Sequence, residues 1–172
     1  MAGLNRQMIL DLSSAMTIRT WQPINDAIMG GVSSSRLRHD PAGYALFEGE
    51  VSLANNGGFA SVRCEPGDFG APGISGYVLS VRGDGKRYKL NLRTDDAFDG
   101  VNYQQAFVAP AGEWVEVRLP CAGFQPTFRG RAVAGAPPLD PGRVRQFGLM
   151  IADKQAGPFA LAIKSIRGER SP

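Results

Sequence analysis

The segment from Arg87 to Thr94, Arg-Tyr-Lys-Leu-Asn-Leu-Arg-Thr, alternates without a break. In an extended chain successive side chains point to opposite sides, so Tyr88, Leu90, Leu92 and Thr94 share one side and Lys89, Asn91 and Arg93 the other. That is the period of a strand, and it demands a sheet with one dry face and one wet, cationic face. The preceding run, Tyr77 to Arg82, is also rich in strand formers, and Gly83-Asp84-Gly85-Lys86 between them supplies residue types that tolerate positive φ. Tyr77–Thr94 is therefore predicted to be a hairpin at the centre of the fold.

Similar short runs recur along the chain. Met8–Leu12 reads as an edge strand. Ser33–His39 and Tyr44–Leu53 flank the turn Asp40-Pro-Ala-Gly43 and read as a hairpin. Phe59–Cys64, Asn102–Val108, Trp114–Leu119, Val144–Ile151 and Pro158–Ile166 follow, with Pro120 ending one of them because proline cannot supply a ladder N–H. Cys121–Arg143 has no clear period, and an irregular stretch of that length inside a compact domain is often functional. No helix longer than a turn or two is evident. Ten or so short strands at regular spacing predict an all-β fold, a β-sandwich of jelly-roll type. The 172 residues fit a single domain, 1–172, with a core over about 8–167 and a polar tail at 168–172. Gly and Pro are frequent, 22 and 12, yet 43% of the chain is hydrophobic, so it is turn-rich and not disordered.

Composition removes several function classes. A net charge of +3 falls short of the clustered cations of a non-specific nucleic-acid binder, so no nucleic-acid partner is expected. No segment has the roughly 20 apolar residues of a membrane span. The apolar run near the N-terminus is too short for a secretory signal, and a cytoplasmic or organelle-matrix place, not a secreted one, is expected. Cys64 and Cys121 read as two reduced, buried thiols.

Catalytic patterns fare no better. His39 is the single histidine, so neither a zinc site nor a serine hydrolase is supported. Gly83-Asp-Gly-Lys lacks the spacing of a phosphate loop, and no nucleotide or other cofactor is expected. Asp84, Asp95, Asp96, Asp99 and Asp153 fall in loops, none placed by spacing as an acid–base pair. The chain is read as non-enzymatic.

What remains is the polar side of the strand around Asn91. Burying Lys89 or Arg93 without a partner would cost several kcal/mol, so this side is solvated or meets something polar. Arg63, Arg82, Tyr103, Gln105 and Arg129 are expected to converge on it. Trp21 is read as a core anchor or as part of a binding surface, beside the turn at Asn25 and Asp26. A pocket is conceivable near Asn55, Asn56, Arg63 and Asp153. Were a glycan the ligand, Trp21, Tyr88, Tyr103 and Trp114 are the rings it would stack on.

Five stretches carry a resemblance: Trp21 with Asn25-Asp-Ala-Ile-Met-Gly-Gly-Val-Ser33, Phe47 through Arg63, Arg82-Gly-Asp-Gly-Lys-Arg-Tyr-Lys-Leu90, Phe128-Arg-Gly-Arg131, and Asp153-Lys-Gln-Ala-Gly-Pro-Phe159. Together they resemble the complex I intermediate-associated protein family, in the family's order, from about Trp21 to Ile166. The resemblance implies a galactose-binding-domain-like jelly roll. It further implies a chaperone-like, non-catalytic role in assembling a multi-subunit complex, with protein subunits as partners. It names no catalytic residue. A carbohydrate-binding module is the alternative reading.

Overall fold

The computed structural model describes residues 5–24, 33–54, 58–95, 100–128 and 130–171. The strands are β1 (Asn5–Asp11), β2 (Trp21–Pro23), β3 (Ser34–Asp40), β4 (Tyr44–Val51), β5 (Ala60–Cys64), β6 (Gly76–Arg82), β7 (Arg87–Arg93), β8 (Asn102–Val108), β9 (Trp114–Pro120), β10 (Gln125–Phe128), β11 (Arg131–Ala132), β12 (Gln146–Ile151) and β13 (Gly157–Arg170). The single α-helix described, α1 (Ala15–Ile18), is one turn long.

The strands form two sheets. One runs β3-β4-β13-β6-β9, with β1 also on β13; the other runs β11-β10-β8-β7-β12-β5-β2. All strand pairings described are antiparallel. The inner sides are the apolar halves of alternating strands. Tyr77, Leu79 and Val81 of β6 and Tyr88, Leu90 and Leu92 of β7 are all fully buried. Rings lock the sheets together: Tyr88 meets Phe47 and Phe159 across the gap, and Tyr77 meets Phe147, with centroids 5.8–6.3 Å apart.

Two expectations change. The stretch Tyr77–Thr94 is not a hairpin, because β6 and β7 belong to different sheets. The Gly83–Lys86 turn instead carries the chain over the rim of the sandwich. A Cβ at Gly83 would collide with Ala109, and Gly85 has φ +84°. Asp84 fixes this corner. Its carboxylate accepts from the Tyr88 hydroxyl (3.0 Å), the Lys86 N–H (3.1 Å) and the Ala160 N–H of β13 (2.9 Å), so one side chain ties the two sheets. Burial, with the Asp84 charge alongside, drives the Tyr88 phenol upward and keeps it a donor. The second change is at the C-terminus. Gly168–Arg170, expected as a polar tail, continue β13, where Glu169 binds Arg6 (2.9 Å) and Arg118 (3.4 Å).

Candidate functional site

The outer side of the seven-stranded sheet is the candidate site. Residues paired across antiparallel strands share a face. Asn91 points outward between buried Leu90 and Leu92, so its cross-strand partners point outward too. The pairing runs Gln125, Gln104, Asn91, Gly148, Arg63, Gln22, one residue from each of six strands. At about 4.8 Å between strands the row is roughly 24 Å long. Four members are amides, one is a guanidinium, and Gly148 leaves a dip between Asn91 and Arg63. A Cβ at Gly148 would lie 3.1 Å from the Val62 carbonyl and 3.4 Å from the Arg63 Cβ, so the dip has little room even for a methyl group.

Two carbonyl oxygens on this face are incomplete. The Asn91 Oδ1 and Asn102 Oδ1 are both shielded from solvent and meet no donor among the described residues. Other groups here are satisfied. Gln146 donates to the Cys64 carbonyl at 2.7 Å, and Arg93 donates to the Gly100 carbonyl at 3.4 Å. Gln104 leans over β7 toward the Met150 sulfur at 3.8 Å. At one end Asp153 pairs with Arg87 (2.9 Å) and Lys89 (3.7 Å). Asp153 and Lys154 are left-handed, φ 63° and 55°, and Gln155 latches their turn onto β7 through the N–H and carbonyl of Arg87.

Lys89, Asn91, Arg93, Arg63 and Asp153 thus come together on one face. Others do not join them. Tyr103 and Gln105 point inward from β8: Tyr103 is buried and donates to the Pro137 carbonyl, and Gln105 donates to the Pro120 carbonyl, both at 2.9 Å. Arg82 lies on the outer side of the other sheet, bonded to the Tyr44 hydroxyl and stacked on Tyr44 and Trp114. Trp21 is buried, its indole nitrogen meeting no described acceptor. Asn25, Asp26, Asn55, Asn56 and Arg129 lie outside the described residues. Gln22, Gln104, Gln125 and Gly148 were not singled out from the sequence. Parity along β8, set by buried Phe107, would have assigned Gln104 outward and Tyr103 inward.

Burial pushes the Cys64 thiol up to about 11, which holds it as an inert thiol. Among the described residues no group of three or more His, Cys, Asp or Glu could hold a metal ion, and no helix is long and apolar enough to cross a membrane. A cavity of about 320 Å³ lies on the other sheet, against Ser80, Lys164, Ser165 and Arg167, and not beside Arg63.

Comparison with known proteins adds two findings. In fold, the chain is similar to a family 11 carbohydrate-binding module of a cellulosomal cellulase from Clostridium thermocellum, with TM-score 0.70, 12% identity, and coverage of 99% of this chain and 97% of that one. The same module in complex with a β-1,3-1,4-mixed-linked tetrasaccharide also gives TM-score 0.70, at 13% identity, covering 99% and 98%. The fold is therefore a jelly-roll sandwich of the galactose-binding-like kind. In sequence, the chain is 28% identical to the mitochondrial complex I intermediate-associated protein 30 of Drosophila melanogaster over 96% of its length, and spans 63% of that relative. It is 33% identical to the mouse protein of the same name over 51% of its length and 28% of that protein's. The sequence profile of the complex I intermediate-associated protein 30 family matches residues 10–163, and the chain belongs to that family.

Proposed function

We propose that this chain is a non-catalytic protein-binding module that helps assemble a multi-subunit complex, respiratory complex I, and that it docks through the outer face of the seven-stranded sheet. The observation that carries this reading is the family match across residues 10–163. The face fits the role. Its amides offer donors and acceptors side by side, as an extended polypeptide does, and two shielded oxygens await donors. Its place of work is a bacterial cytoplasm or an organelle matrix, as the mitochondrial name of the fruit-fly relative suggests. The test is affinity capture from the native host with the wild type and with Asn91→Ala/Arg93→Ala. Respiratory-complex subunits should be recovered with the first and depleted with the second. Recovery of no such subunit under mild conditions would sink the proposal.

A glycan-binding reading has one observation in its favour: a row of amides crossing six strands is suited to hydroxyl-rich chains, and a module of similar fold is known with a tetrasaccharide bound. The rings tell against it. Trp21, Tyr88 and Tyr103 are buried, and Trp114, half-buried, is occupied by Lys164 and Arg82. Titration with that tetrasaccharide, followed by amide shifts along β7, decides the matter; unshifted peaks remove it.

A further inference from the structure

β9 closes the six-stranded sheet, and among the described residues it pairs only with β6. Its other edge is a row of backbone donors and acceptors with no ladder partner among the described residues. Which groups point there follows from two observations. Pro120, opposite Gly76, has no N–H to give β6, and the next residue, Cys121, donates its N–H to the Ser75 carbonyl at 2.8 Å. In an antiparallel ladder the residues facing a given neighbour alternate. Val115, Val117 and Leu119 therefore bond β6, and Trp114, Glu116 and Arg118 turn their backbone groups to the open edge. Such an edge is a ready template for another strand.

The side chains say which strand. Val115 and Val117 lie on the inner side, packed on the core yet only partly buried, because nothing described lies beyond them. Glu116 and Arg118 lie on the outer side, each paired within the copy, with Arg6 (2.7 Å) and with Glu169 (3.4 Å), yet with side chains 47% and 55% exposed and so open to a further contact across the edge. We propose that the occupant is a second copy of this chain, adding its own β9 antiparallel about a two-fold axis through Val117. That axis sets Glu116 against Arg118 twice, with four backbone hydrogen bonds between them, and Val115 against Leu119 twice. An axis through Glu116 would face glutamate with glutamate, and one through Arg118 would face arginine with arginine. An axis between residues would set outward-pointing backbone groups against inward-pointing ones and cross the apolar side with the polar one. Among the axes through Glu116, Val117 and Arg118, charge and parity favour the one through Val117.

The joint is isologous and runs one sheet through both copies. It is also short. At one end the Pro120 carbonyl is already taken by Gln105 (2.9 Å), and proline offers no N–H. A single strand pair falls below the area of a permanent interface, so the dimer depends on concentration. The amide face of the other sheet stays open in it.

Sedimentation velocity of the full chain over a wide concentration range tests this, with circular dichroism confirming that each variant folds. The wild type should pass from monomer to dimer. Arg118→Glu, which sets glutamate against glutamate on both sides of the axis, should raise the dissociation constant about tenfold or more. The swap Glu116→Arg/Arg118→Glu restores opposite charges across the axis, although it leaves Arg6 and Glu169 beside like charges within each copy, and it should recover part of the lost affinity. Residue-resolved amide exchange gives a readout free of mutation: the Glu116 and Arg118 amides should slow as concentration rises, while Val117, already bonded to β6, is slow throughout. A wild type monomeric at every concentration overturns the proposal, as does a dimer that Arg118→Glu leaves intact, or Glu116 and Arg118 amides whose exchange ignores concentration.

Discussion

The two outer faces of the sandwich handle the same problem, polar side chains on a strand, in opposite ways. On the six-stranded sheet most charges meet a partner in place, although the Arg6 Nη2 is shielded and meets no acceptor among the described residues. Arg6 binds Glu116 (2.7 Å) and Glu169 (2.9 Å), Glu48 takes Arg36 (2.6 Å) and Arg38 (2.8 Å), and Lys164 lies 4.1 Å from the centre of the Trp114 ring. On the seven-stranded sheet the middle of the face is amide and glycine, with two shielded oxygens that meet no donor among the described residues. A carboxylate that already holds its cation contributes to stability, and a partner can add only a further contact to it. A face left incomplete costs the free protein something, and a partner that supplies the missing donors recovers it.

The sharpest way to test the division of labour is to change neighbouring residues of β7. Leu90 is fully buried on the inner side, so Leu90→Ala should cost about 2 to 5 kcal/mol in denaturant unfolding, as core truncations do. A cost below 1 kcal/mol would mean that the two sheets do not pack as described. Next in size is Gln146→Ala. Gln146 is a satisfied amide of the seven-stranded sheet, and its loss takes away the side-chain donor of the Cys64 carbonyl, at a cost of about 1 to 3 kcal/mol. A neutral result would erase the contrast between completed and incomplete amides on that face.

The charged network should be worth less. Hydrogen bonding from Arg6, with help from Arg118, holds the Glu169 carboxyl below its usual value, against a smaller opposing effect of burial. A carboxyl lowered in the folded state stabilises the fold above its unfolded pKa, and that stabilisation is lost as pH falls through the folded value. Wild type should therefore exceed Glu169→Gln by about 1 kcal/mol or less at neutral pH. The two should converge as pH drops below the ordinary carboxylate value of 4.5. Parallel curves down to acid pH would show that the network contributes nothing through its charge.

How far the sequence reached differs between local and distant order. The alternation of Tyr88, Leu90 and Leu92 against Lys89, Asn91 and Arg93 is a property of one strand, and it survives in β7 unchanged. The same holds for the β3–β4 hairpin around Asp40–Gly43 and for the family stretches. The partner of a strand is not local. Gly83-Asp84-Gly85 suits a hairpin and a crossover equally, and only the pairing of β6 with β13 and of β7 with β12 separates them. The amide row is further out of reach, since it exists only where five registers across six strands coincide; Gln22 and Gln125 are more than a hundred residues apart and carry no periodic mark. Tyr103 and Gln105 are polar yet face inward, because parity along β8 outweighs polarity. A tyrosine with its hydroxyl on a carbonyl is content indoors.

The smallest expected effect on stability says the most about the site. Asn91 and Gln146 are both outward-facing amides on adjacent strands, but Gln146 has its acceptor and the Asn91 Oδ1 has no donor among the described residues. Removing a shielded oxygen that bonds nothing removes a desolvation cost together with the side chain's packing, so Asn91→Ala should shift stability by about 0.5 kcal/mol or less, in either direction. If a partner supplies the missing donor, the same substitution should weaken its binding by about 1 to 3 kcal/mol, the usual penalty for a buried hydrogen bond left unmade at an interface. Thermal or denaturant unfolding gives the first number, and titration with a captured partner subunit gives the second. A large loss of stability would make Asn91 a structural amide like Gln146. An unchanged affinity would move the docking surface off this face, toward the sheet whose charges were supposed to be complete.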